Sequence, residues 1–325
     1  MSFNCKADIA DAYFIDGSII ASNQFWETDA TTGQIKPKLD PTIGSFGTNG
    51  YHLKFENANA GIDSKPSGAS NFSTTGTIRQ QVDTPSNLFC TLNPMQRSRM
   101  NTNNFGDYLK VGNNTFDTSS SNNIIAIVNG TIGVQSGKYY WEAKVITNTR
   151  LAIGISTGLE QKFPQAYYDE QEYSAMTMNL NGAFTGRYTG SAIDEFATGT
   201  ANTANDILGF ALDMDNKALY VHKNGTYLSN GSNTGVPTSG SSRTGSLIEG
   251  FAGSRDDYFP TGEFMFPVVM DLSNSGVAKA EFNFGNGFFG TTAISSEGTN
   301  ASGIGKFEYD VPTGYTALST KGLNE

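Results

Sequence analysis

Ser136-Gly-Lys-Tyr-Tyr-Trp-Glu-Ala-Lys-Val145 is the stretch whose reading decides the fold of this chain. A Ser-Gly turn leads into residues that alternate across a pleat, the period of a strand with one buried face. Tyr139, Trp141, Ala143 and Val145 fall on one side; Tyr140, Glu142 and Lys144 fall on the other, which is expected to meet water. A half-buried strand of this kind belongs to an antiparallel sandwich, with the Trp141 indole as its anchor. The expected core is Tyr139, Trp141, Val145, Phe210, Leu212 and Phe266.

Outward from that strand, further short strands are expected at 151–155, 207–213, 218–223, 264–271 and 277–284, and earlier at 12–16, 19–21, 51–55 and 88–92. Asn129-Gly130 and Asn224-Gly225 are hairpin signals, so 124–128 is expected to turn back on 131–134. Asp213-Met-Asp-Asn-Lys217 reads as a tight turn whose Asp and Asn bond their own backbone. It lacks the Gly and the distant Glu of an EF-hand loop. Residues 156–205 read as a long loop region, and 306–312 as a closing strand. No helical pattern runs beyond about two turns. The fold expected is all-β, an antiparallel sandwich over 86–290. Residues 1–85 are expected to form a β-rich N-terminal extension, serving attachment or packing on the sandwich, and 291–325 a C-terminal segment packing back on the body.

Composition agrees with this class. The 325 residues can bury a full core, yet only 37% are hydrophobic and 16% charged, with 37 glycines, a mix suited to short strands and many turns. A formal net charge of −10 argues against sequence-independent nucleic-acid binding and against an anionic membrane as partner. The two cysteines, Cys5 and Cys90, read as free, buried thiols, with a disulfide between them as the alternative. No signal-peptide pattern opens the chain, and no apolar run approaches ~18 residues, so neither leader-driven secretion nor membrane insertion is expected.

Catalysis is not expected. Glu170-Gln-Glu172 comes nearest to the Glu-x-Asp-x-Glu strand of jelly-roll glycosidases, but the third carboxylate is missing. Glu142 stands alone, and both sites read as solvated charges. His52 and His222 are expected to point outward or fill rim positions, with no triad or metal centre. Gly285-Asn-Gly287 reads as a turn, and no cofactor is implied. The binding candidates sit in aromatic, polar loops. Tyr167, Tyr168, Tyr173, Arg187 and Tyr188 lie in one insertion, and Arg255, Asp256, Asp257 and Tyr258 in another. Aromatic faces beside Asp and Arg suit sugar rings and protein hot spots alike. The competing reading is that these tyrosines cover the sandwich edge or a subunit interface, and Asp256-Asp257 is also a lesser Ca²⁺ candidate.

Several motifs in order resemble the SPRY domain, a concanavalin A-like sandwich. They are the 136–145 stretch, Ala152-Ile-Gly-Ile-Ser156, Asp206-Ile-Leu-Gly-Phe-Ala-Leu-Asp213, Leu219-Tyr-Val-His-Lys-Asn-Gly225 and Met265-Phe-Pro-Val-Val269. The flanks look like SPRY-type structural proteins of tailed bacteriophages. They include Phe14-Ile-Asp-Gly17, Gly44-Ser-Phe-Gly-Thr-Asn-Gly-Tyr-His-Leu-Lys-Phe55, Asp83-Thr-Pro-Ser-Asn-Leu-Phe-Cys-Thr-Leu-Asn-Pro94 and Asp310-Val-Pro-Thr-Gly-Tyr-Thr-Ala-Leu-Ser-Thr-Lys321. The resemblance implies a non-enzymatic virion protein, a tail or head fibre or capsid appendage that meets host-surface glycan or protein. It also implies other virion proteins as partners and homo-oligomerisation, three copies suiting such an appendage. The protein would be made in the host bacterial cytoplasm and released by lysis. Because the leader motif stands close to the first residue, a short appendage is expected rather than a long fibre. The alternatives are a purely structural capsid decoration or tail collar component, and after it a polysaccharide-degrading enzyme.

Overall fold

The computed structural model describes residues 11–28, 35–38, 41–55, 60–75, 83–84, 87–99, 108–119, 126–148, 151–157, 174–178, 182–187, 193–198, 201–271 and 276–324. The side chains at 36, 96–99, 148, 174–178, 187 and 193–195 are outside that description. The chain divides into two compact units, Met1–Leu88 and Phe89–Glu325.

In the first unit, strand Ala12–Phe14 pairs antiparallel with Tyr51–Leu53, and Trp26–Thr28 with Ile35–Pro37. Tyr13 stacks on His52 with ring centroids 4.0 Å apart. The buried Asp63 carboxylate accepts the backbone N–H groups of His52 and Lys65. His52 is not the outward or rim residue expected: its ring is buried beside Tyr13 and Phe46, with Nε2 2.8 Å from Asp11 Oδ1.

The second unit is an all-β antiparallel sandwich. Seven strands form one sheet, in the spatial order Ile193–Ala197, Ala183–Arg187, Ser174–Met178, Leu151–Ser156, Phe266–Asp271, Ala126–Gly130 and Leu92–Arg99. The other sheet runs Thr226–Tyr227, Ala218–Lys223, Ile207–Asp213, Lys138–Asn148, Ala278–Asn283, Thr115–Asp117 and Leu109–Lys110. Its eighth strand, Thr316–Ala317, lies parallel to the start of Lys138–Asn148, in register with Tyr139 and Tyr140. Among the described residues the one α-helix is the single turn Arg255–Tyr258.

The alternation in 139–145 positions the core as expected. Trp141 lies opposite Phe210 on the neighbouring strand, their rings parallel within 4° and 5.4 Å apart. Tyr139, Trp141, Val145, Phe210 and Leu212 are all buried. Phe266 is only half-buried. It opens its strand, and its ring lies over Gly133, where a Cβ would stand 2.5 Å from a ring carbon.

Several expectations fail for local reasons. The face carrying Tyr140 and Glu142 does not meet water, because the C-terminal segment lies over it; Phe307 packs edge-on to Tyr140 at 5.0 Å. Asn129-Gly130 makes no hairpin, since strand Ala126–Gly130 runs through it and Gly130 pairs with Leu92. Its missing Cβ serves close packing instead: a Cβ there would stand 2.8 Å from Cys90 Sγ. Asn224-Gly225 does turn the chain, with φ of 50° and 83°, between Ala218–Lys223 and Thr226–Tyr227. Within the expected loop 156–205, strands Ser174–Met178, Ala183–Arg187 and Ile193–Ala197 extend the sheet to its edge. Leu92–Arg99 continues past Asn93-Pro94 with an irregular register. Residues 306–312 contribute one bridge, Lys306 with Asn286, and the strand comes later, at Thr316–Ala317. Residues 19–21 are not a strand, and Ile19 is fully exposed.

Candidate functional site

The sandwich exposes a charged rim where the 213–218 turn meets the helix Arg255–Tyr258. The turn is as read from sequence: Asn216 N–H donates to Asp213 Oδ1 at 3.0 Å, closing the loop between paired strands. Lys217, at its end, donates to Asp256 in the helix. Arg255 Nη1 donates to Glu249 Oε1 at 3.0 Å, and Arg243 Nε to the same oxygen at 2.8 Å. Burial opposes ionisation of Glu249, but the two guanidinium donors outweigh it and hold its carboxyl below the ordinary range. Exposed pairs of this kind are screened by water and add little to stability, so their role here is orientation. Arg255 is 41% and Asp256 74% exposed, leaving both open to a partner.

The sequence candidates divide sharply. Arg255 and Asp256 sit on the rim. Asp257 turns inward to the helix start, where its Oδ2 accepts Ser254 N–H at 2.7 Å. Tyr258 is a correction: it is fully buried, packed 4.6 Å from the Phe251 ring, and offers nothing to a ligand. Gly186 makes room for it, since a Cβ there would stand 2.5 Å from the Tyr258 ring. Tyr167, Tyr168, Tyr173 and Tyr188, and the pair Glu170 and Glu172, lie outside the described residues, as does the Arg187 side chain. The Arg187 backbone ends strand Ala183–Arg187. Lys217, Arg243 and Glu249 were missed, because they converge only through the fold and share no spacing in the chain.

A second polar cluster is buried, and it overturns the readings of Glu142 and His222. Glu142 is fully enclosed and accepts from Tyr140 O–H at 3.0 Å, Asn283 Nδ2 at 3.2 Å, and the backbone N–H groups of Glu308 and Tyr309 at 2.9 and 2.8 Å. Strand Ala278–Asn283 stops opposite Glu142, and the C-terminal segment takes up the vacated edge. Burial pushes the Glu142 carboxyl up to about 7 despite those four donors. His222 is buried as well, its Nδ1 accepting Gly225 N–H at 3.1 Å and its Nε2 2.7 Å from the Tyr140 oxygen. Burial lowers it to about 4, so the neutral ring carries its proton on Nε2 and donates to Tyr140. Gly209 permits the contact, since a Cβ there would stand 2.0 Å from His222 Nε2. This chain of bonds fastens the C-terminal segment.

Among the described residues no group of three or more His, Cys, Asp or Glu side chains converges as a metal site, and no helix is long and apolar enough to cross a membrane. No protein-family model matches the chain, and no curated protein matches it. Among solved structures, the SPRY domain of human HERC1 is similar over 59% of this chain and 96% of its own, with 15% identity and a TM-score of 0.38. A likeness that loose carries no argument about function.

Proposed function

We propose that this chain is a non-enzymatic virion protein of a tailed bacteriophage, an appendage that presents its sandwich for contact with glycan or protein on the host surface. The observation that carries the contact role is the rim, where Lys217, Arg255 and Asp256 are held by ion pairs on the ends of two stacked sheets. Loops fixed on a rigid scaffold suit recognition. Weak single contacts gain strength when many copies act together on one particle. Assignment to a phage particle rests on the flanking motifs, from Phe14-Ile-Asp-Gly17 to Asp310-Val-Pro-Thr-Gly314. The non-enzymatic reading is supported by Glu142, the carboxylate of the central strand, which is enclosed and committed to four donors.

Antibody against this chain, imaged on intact particles, tests the proposal. Label on an outward-facing tail or head appendage is expected. Label reaching the chain only in disrupted particles favours the capsid decoration or tail collar alternative. Light scattering of the purified protein should report an oligomer, with three copies expected, and a monomer at micromolar concentration counts against the appendage. Release of reducing ends from host polysaccharide would restore the enzymatic alternative.

A further inference from the structure

On the other side of the same 213–218 turn lies a cleft of about 350 Å³, lined by Lys138, Tyr139, Asp215, Ser302, Tyr315 and Thr316. That volume is at the small end of the ~300–1,000 Å³ typical of small-ligand sites. Thr316 is 8% exposed, and its Oγ1 is buried with no hydrogen-bond partner. A buried hydroxyl left unpaired is destabilising, a cost that a ligand hydroxyl would remove. Gly322, also in the lining, lies against that oxygen, since a Cβ there would stand 3.2 Å from it.

Charge narrows the ligand class. Lys138 Nζ is paired with the buried Asp213 carboxylate at 3.0 Å and lies 5.8 Å over the Tyr315 ring. Its charge is therefore matched, and the remaining formal charge in the lining is that of Asp215. Asp215 is exposed, and its Oδ1 accepts Gly137 N–H at 2.7 Å. An anion would meet this carboxylate and a chain of net charge −10. Burial pushes the Tyr139 phenol up, and the charge of Asp215 adds to the effect, so it stays a neutral donor. The Tyr315 hydroxyl donates to the Pro237 carbonyl at 3.0 Å, which fixes its ring. An extended peptide is disfavoured, because Thr316–Ala317 already occupies the strand edge at this point.

We propose that this cleft binds one neutral, hexose-sized sugar unit, with Asp215 accepting from ring hydroxyls and Thr316 supplying the hydroxyl at its floor. The inference deepens the host-contact reading and rests on it for the ligand's source, a surface glycan.

The test is saturation-transfer NMR on the full chain with methyl glycosides of glucose, mannose and galactose at millimolar concentration, beside methyl glucuronide and a short neutral peptide. Transfer to at least one neutral glycoside is expected. Ala301→Trp, at an exposed lining position, should abolish it while leaving the unfolding midpoint unchanged. Thr316→Val should weaken it roughly fivefold, the worth of one hydrogen bond. No transfer to any neutral glycoside, transfer that survives Ala301→Trp, or preference for the glucuronide or the peptide would overturn the site. The two readings fail separately. Sugar binding by a chain absent from the particle leaves the cleft standing, and a labelled particle without sugar binding leaves the appendage standing.

Discussion

The Tyr140 hydroxyl stands 2.7 Å from His222 Nε2 and 3.0 Å from Glu142 Oε1, linking strand Ala218–Lys223, across the intervening Ile207–Asp213, to the carboxylate that holds the C-terminal segment. Both partners are buried, so removing the link strands two polar groups at once. Tyr140→Phe keeps the ring against Phe307 and deletes only the oxygen. It should destabilise the sandwich by about 2 kcal/mol, read as a lowered urea midpoint with unchanged m-value. An unchanged midpoint would show that the chain of bonds contributes nothing.

The same cluster sets a pH response in which two effects oppose. Glu142 rises from 4.5 to about 7 on folding, so its contribution is full below the ordinary value and is lost as pH rises through about 7. His222 falls from 6.5 to about 4, so its contribution is lost as pH falls from 6.5 toward 4. Each displacement corresponds to on the order of 3 kcal/mol, and between about 4.5 and 6.5 their slopes cancel. Glu142→Gln removes one of the two. Its stability, measured by urea titration at several pH values, should rise from pH 4.5 to 6.5 relative to the parent. Parallel curves for the two proteins would sink this assignment.

Cys90 should be inert in the folded protein. It is fully buried, and burial pushes its thiol up to about 11, far from the thiolate needed for reaction. In a Cys5→Ser variant, which leaves Cys90 as the sole cysteine, maleimide labelling should be at least about a hundredfold slower without denaturant than with it. Fast labelling of the native protein would place Cys90 at a surface.

The alternation in 139–145 made the sandwich and its Trp141–Phe210 centre legible, because period two assigns each residue to a face. It does not say what covers the other face. Glu142 and Tyr140 read as solvated because their cover, Phe307 to Tyr309, lies some 165 residues away and follows no period. The two Asn-Gly pairs make the same point. Asn224-Gly225 takes up the positive φ angles of a turn, whereas Gly130 is used for its lack of a Cβ beside Cys90. The dipeptide is identical, and only packing separates its two uses. Of the rim, Arg255 and Asp256 were visible as loop charges, while Tyr258, two residues on, fills the pocket beside Phe251.

The two tryptophans differ in exposure, which gives a direct optical check on the core. Trp26 is 39% exposed and Trp141 is fully buried. In a Trp26→Phe variant, iodide should leave the remaining emission almost unquenched until the sandwich unfolds. The Trp141 Nε1 has no hydrogen-bond partner, so its indole holds the core by volume and stacking on Phe210. Trp141→Phe therefore sacrifices packing without breaking a hydrogen bond and should cost about 2 kcal/mol, below the ~3–5 kcal/mol of Trp→Ala truncations. Loss of folding in Trp141→Phe, or ready quenching of native Trp141, would mean that the central indole is held by something other than the stacked rings.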